Sequence, residues 1–174
     1  MKKIGTMLLF SFLITGCAQV QPDSNVSKKE ILETSSAHIN APSFFHLSVL
    51  KDVNWEEAPS FVEGKIPLKG IEKKIAMADS PIIANEQNEI MWYFLDSEMP
   101  TGKLSIIALK QGSVTPTPVL FQQETSTQTW TTSNIVDTTI TELPLTMSLP
   151  SSGLWVLNIY VNEKYYEQFV INAE

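Results

Sequence analysis

Cys17 is the only cysteine in the 174 residues, so neither an internal disulfide, a CxxC redox pair nor a Cys-based zinc cluster can form. The chemistry left to a lone thiol is nucleophilic, as the thiolate attacking an electrophile. The only imidazoles are His38 and His46. Nucleophilic catalysis by a hydroxyl needs such a base nearby, but no Gly-x-Ser-x-Gly elbow accompanies them, and both read as tether or edge residues. Zinc wants three or four ligands at close spacing, and two histidines eight apart without a local acidic partner imply no metal site. Carboxylate pairs stand at Glu56-Glu57 and at Asp96/Glu98, residue types that serve as acid and base in glycoside hydrolysis. Among 19 acidic residues some adjacency is expected, and Glu56-Glu57, between Trp55 and Pro59, reads as a solvated loop. Gly-rich phosphate loops, dinucleotide fingerprints and EF-hand spacings are all missing, so the sequence implies no cofactor and no enzyme.

The charge balance narrows the partners. The formal net charge is -7, and all 12 basic residues are lysines. Nucleic acid is excluded as a partner, because its binding draws on cations placed against phosphates. An acidic surface does not adhere to anionic headgroups either, so any membrane attachment must come from lipid. Without arginine, bidentate recognition of carboxylate or phosphate is also ruled out.

The elements that would position Cys17 come first in the chain. Lys2 and Lys3 precede an apolar run at 4–14, followed by Thr15, Gly16 and Cys17. A positive start, a short apolar run and small residues before a cut make a secretory signal. Eleven residues fall short of the ~20 that a membrane-spanning helix needs. Ile14-Thr15-Gly16-Cys17 resembles the lipobox of bacterial lipoproteins, with the aliphatic at Ile14, small residues at Thr15 and Gly16, and the acceptor at Cys17. That resemblance implies a signal peptide at 1–16, diacylglyceryl and palmitate-type lipid on Cys17, and a chain held on the extracytoplasmic face of the cell membrane. The alternative is a plain secretory signal with an incidental cysteine, or a short core helix. From 17 to 43 the chain is mostly polar, with Pro22, and reads as a flexible tether that contains one candidate helical turn at 27–33.

From about Phe44 apolar residues recur with period two, and Thr, Val, Ile and aromatics fill the runs, so 44–174 reads as strands. The clearest is 154–161, with Trp155, Leu157, Ile159 and Val161 on one face and Leu154, Val156, Asn158 and Tyr160 on the other. It is followed after a tight turn at Asn162, Glu163 and Lys164 by a partner at 165–171. Further strands are expected at 90–96, 103–110 and 139–149, with Pro144 marking an open edge, and shorter ones at 75–79, 82–83 and 119–122. Seven or so short strands with turns between them predict a two-sheet antiparallel sandwich. The Thr- and Ser-rich stretch 123–137 reads as a long loop or a loosely paired edge hairpin. Loops on rigid sandwiches often carry binding residues, which singles out Trp130 as a possible ligand or partner contact. Capping the core is its alternative role.

The block 149–161, beginning Leu149-Pro150 and running through Gly153-Leu154-Trp155, resembles the ending of immunoglobulin-like domains in a family of Bacillus-type lipoproteins without an assigned activity. Asp79-Ser80-Pro81, followed by Ile90-Met91-Trp92-Tyr93-Phe94, resembles the middle of the same family. The resemblance spans about 61–172 and implies an immunoglobulin-like sandwich on a lipid anchor, with no catalytic residues. The expected function is noncatalytic binding of an extracellular protein or cell-wall partner. A protease-inhibitor module using 123–134 and an accessory hydrolase of wall glycans are the alternatives.

Overall fold

The computed structural model describes residues 40–122 and 127–174. Among the described residues twelve strands make two antiparallel sheets. They are β1 (Ser60–Glu63), β2 (Ile66–Ile71), β3 (Ile75–Ala78), β4 (Asn88–Phe94), β5 (Gly102–Lys110), β6 (Thr117–Pro118), β7 (Leu120–Gln122), β8 (Thr127–Thr129), β9 (Thr131–Val136), β10 (Glu142–Met147), β11 (Gly153–Val161) and β12 (Lys164–Ala173). The larger sheet runs β1-β2-β3-β4-β10-β7-β8. The smaller runs β12-β11-β5, and the far side of β5 is shared between β9 near its start and β6 near its end.

The predicted all-β sandwich is what the chain forms, and the reason is visible on β11. Trp155, Leu157, Ile159 and Val161 enter the core between the sheets with Leu104, Ile106 and Ala108 of β5 and Ile75, Met77, Trp92 and Met147 of the larger sheet. Gly153, at φ +108, supplies the backbone turn that delivers Trp155 inward, and the indole Nε1 donates to the Ser151 carbonyl at 2.9 Å. Asn162 and Glu163 both have positive φ (50° and 64°) between the register partners Val161 and Lys164, the geometry of a type I′ hairpin turn. Pro144 sits where β10 pairs with β4 alone, since β7 reaches β10 only at Met147, so the missing donor faces an unpaired edge.

The expected short strand at 82–83 is only an isolated bridge from Ile82 to Ala173, and the structure departs from the sequence expectations more widely in three other places. First, period two does not begin at Phe44. Residues 41–58 form a strap, with a 3-10 helix at Leu47–Asp52, laid over the outer face of the smaller sheet. Phe44, Phe45, Leu47, Leu50, Val53 and Trp55 cover Ile107, Leu109, Val156, Tyr160 and Val170 there. Both faces of β5 and β11 are therefore buried, and packing of the body begins at Ala41. Second, β1 and β2 are a hairpin with no counterpart among the expected strands. Pro67 and Gly70 interrupt its apolar pattern, and its register runs from Ser60↔Lys69 to Glu63↔Ile66. Third, the described part of 123–137 is paired strand rather than a long loop: β8 is the outer arm of an edge hairpin with β7 in one sheet and β9 pairs with β5 in the other, so the chain changes sheets at Trp130.

Candidate binding groove

Where the strap reaches the edge of β12, the two sheets are stitched together. The Ala58 amide donates to the Val170 carbonyl at 2.8 Å, and one residue later the Pro59 carbonyl accepts from the Gly70 amide at 3.3 Å. Gly70 is required where β2 lies against β3. Its φ is +147, and a Cβ there would lie 2.6 Å from the Ile75 carbonyl oxygen. Between the strap at 52–59, Gly70 and Ile71 of β2, and β12 from Tyr165 to Val170 lies a groove of about 400 Å³.

Its walls combine apolar and acidic side chains. Val53, Val156 and Val170 provide the aliphatic surface, while Asp52, Glu56, Glu57 and Glu167 provide four carboxylates. Two of these are ion-paired. Glu57 accepts from Lys69 at 2.5 Å, and Lys69 also meets Asp79 at 3.2 Å, while Glu167 accepts from Lys74 at 2.8 Å. Burial pulls the Lys69 ammonium down, but its hydrogen bonds to Glu57 and Asp79 outweigh that and leave it above its ordinary value. The bond to Glu167 raises Lys74. Neither Asp52 nor Glu56 has a cationic partner among the described residues, and Glu56 accepts only the Asn54 amide at 3.0 Å. Tyr165, at the rim, is pushed upward by burial and then by the charges of Glu167 and Asp52.

The carboxylate pairs singled out in sequence fall in different surroundings. Glu56 and Glu57 line the groove as exposed strap residues. Asp96 instead braces the fold, since one of its oxygens accepts the Glu98 amide at 2.8 Å and the other accepts the Tyr166 hydroxyl at 2.9 Å. His46 is exposed and precedes the 3-10 helix, whereas Cys17, His38 and the candidate turn at 27–33 lie outside the described residues. Trp130 is half-buried, packs against the outer apolar cluster, accepts the Ile106 amide on its carbonyl at 3.0 Å and is not among the groove-lining residues. Among the described residues no group of three His, Cys, Asp or Glu side chains is placed to hold a metal, and no helix is long and apolar enough to cross a membrane. Glu167 and Gln168 of the groove carried no sequence signal, since in sequence they are ordinary polar positions of a terminal strand.

Residues 44–171 match the DUF4871 family, a domain of unknown function, across most of the strap and all of the sandwich but the last two residues of β12. The chain belongs to that family. A crystal structure described as a candidate lipoprotein of Bacillus anthracis is 85% identical and superposes with a TM-score of 0.77, covering 79% of this chain and 99% of that one. No curated protein matches the chain. The DUF4871 match runs from Phe44 in the strap to Ile171 in β12, so both walls of the groove lie within it.

Proposed function

We propose that this DUF4871 protein is a noncatalytic binding module, held on the extracytoplasmic face of the cell membrane by lipid on Cys17. The observation that carries the reading is the leader ending at Ile14-Thr15-Gly16-Cys17 on a chain 85% identical to a candidate lipoprotein. The immunoglobulin-like kinship of the body belongs to the same reading, with two antiparallel sheets presenting edges and a groove to a partner. Noncatalytic binding is supported by how the groove's carboxylates are used, with Glu57 and Glu167 engaged by lysines and no imidazole or thiol among the lining residues. In this reading the groove is the binding surface, and the strand pairing in the described part of 123–137 supports that choice over the segment itself.

The test is fractionation of the producing cells together with mass spectrometry of the mature N-terminus. The expected result is a diacylglyceryl thioether on Cys17 and a Cys17→Ser variant lost from the membrane. Cytosolic protein with an intact leader, or hydrolysis of purified wall abolished by Glu56→Gln or Glu57→Gln, would overturn the reading.

A further inference from the structure

We infer that the groove between the strap and β12 takes a lysine or arginine side chain presented by an extended segment of a partner polypeptide. The inference rests on the binding-module reading and names its ligand. Every side chain lining the groove that carries full charge is anionic, and the nearby cations Lys69 and Lys74 are already spent on Glu57, Asp79 and Glu167. Asp52 and Glu56 are left without a cation among the described residues.

A buried acceptor in the lining points the same way. Gln168, in the groove lining, has a buried Oε1 without a donor. Its register partner on β11, Asn158, is 0% exposed and is not part of the lining. Asn158 is held by its Nδ2 to the Ile107 carbonyl at 3.0 Å, and its Oδ1 also lacks a donor. A buried amide oxygen without a donor is costly, so the groove wall at Gln168 gains when a donor arrives there. Ammonium and guanidinium groups are donor-only cations with three and five N–H bonds respectively. The aliphatic wall of Val53, Val156 and Val170 suits the methylene stem behind such a head group, and the Tyr165 ring stands at the rim. Anionic ligands meet repulsion from all four carboxylates.

The bare edge of β12 argues for a polypeptide rather than a free amine. Beyond the Ala58 contact at Val170, no strap or strand backbone bonds to the outer edge of β12 over 165–168 among the described residues. There the Gln168 amide is met only by the Glu167 side chain at 3.2 Å. An added strand could use that edge while its alternate side chain enters the groove.

The experiment uses the protein purified as its cells make it, in neutral detergent, with labelled Thr-Val-X-Val-Thr peptides read by fluorescence anisotropy. Peptides with X as Lys or Arg should bind at least about tenfold more tightly than those with Gln or Glu, and binding should weaken as salt is raised to about 0.5 M. A double variant Asp52→Asn, Glu56→Gln, and separately Gln168→Met, should each lose about tenfold with the melting temperature no lower than that of wild type. Equal binding of the Gln peptide, no binding of any peptide, wild-type affinity in the folded variants, or cadaverine binding as tightly as the Lys peptide would each overturn the inference. Crosslinking on intact cells separates its failure from that of the parent reading: a partner held equally by wild type and the double variant sinks the groove alone, whereas no partner at all sinks the module.

Discussion

The two faces of the smaller sheet are both buried, but by different means. The inner face meets a second hydrogen-bonded sheet, and its cluster is almost wholly apolar, from Trp92 and Met147 to Trp155 and Leu157. The outer face meets a strap whose backbone bonds are mostly its own, as in Phe45 to Pro42 and Val49 to His46, until Ala58 reaches Val170. Polar groups lie on that side as well: Asn158 is fully buried, and Ser105 bonds Thr131 at 2.8 Å. Burial by itself therefore does not mark what holds this fold. A layer fixed by side chains alone can open at lower free energy than one also closed by strand pairing.

The largest test of that contrast is Trp155→Ala, which should cost about 3–5 kcal/mol in denaturant unfolding as an inner-face deletion. A midpoint equal to wild type would refute the inward assignment. Phe45→Ala should cost less, about 1–3 kcal/mol, because the strap can resettle over the gap. Iodide should then quench Trp55 fluorescence before the sheets melt. If strap and sheets unfold together at the same cost as in Trp155→Ala, the distinction between the layers fails. Asn158→Leu should shift stability by no more than about 1 kcal/mol, since losing the bond to Ile107 is offset by removing an oxygen that has no donor. A loss several times larger would mean that the polar group is essential to the outer layer.

Two smaller effects lie outside both layers. Hydrogen bonds from Ser60 and then Lys69 hold the Asp79 carboxyl below its ordinary range. A depressed carboxyl contributes stability that is present above its unfolded pKa of ~3.9 and lost as pH falls through the lower folded value. The melting temperature should therefore fall less between about pH 5 and pH 2.5 in Asp79→Asn than in wild type, and parallel curves would deny the linkage. Glu163→Gly, at φ +64 in the β11-β12 turn, should raise stability by about 0.5 kcal/mol, measurable as a small rise in melting temperature.

What was legible in the sequence is what local pattern determines. The two faces of β11 separate as the alternation demands, because period two has only one way to place a strand over a core. The hairpin after it and the open side at Pro144 follow from chain length and a missing N–H. What alternation cannot report is a second layer. Asn158 and Tyr160 look solvent-facing until the strap is in place, and Phe44, Phe45 and Trp55 have no period because they pack from irregular backbone. The β1-β2 hairpin was hidden by Pro67 and Gly70, which break a strand pattern where the backbone in fact tolerates them. Trp130 read as a loop aromatic because nothing in the Thr-rich composition tells that the chain changes sheets there. The groove draws on the strap, β2 and β12, more than a hundred residues apart at the extremes, so Glu56 and Glu57 were visible as a pair but Glu167 and Gln168 were not.

The strap is also the route by which the chain enters the body, arriving from Asn40 and crossing the outer face before the first strand. Tension applied to the segment ahead of it would peel Phe44, Phe45 and Leu47 away one after another rather than shear the sheets at once. The stitch from Ala58 to Val170 is the first backbone joint to the smaller sheet that such a pull would meet, and it forms one end of the groove. A pull on the chain would thus load the Ala58–Val170 bond, one of the two that close this end of the cleft.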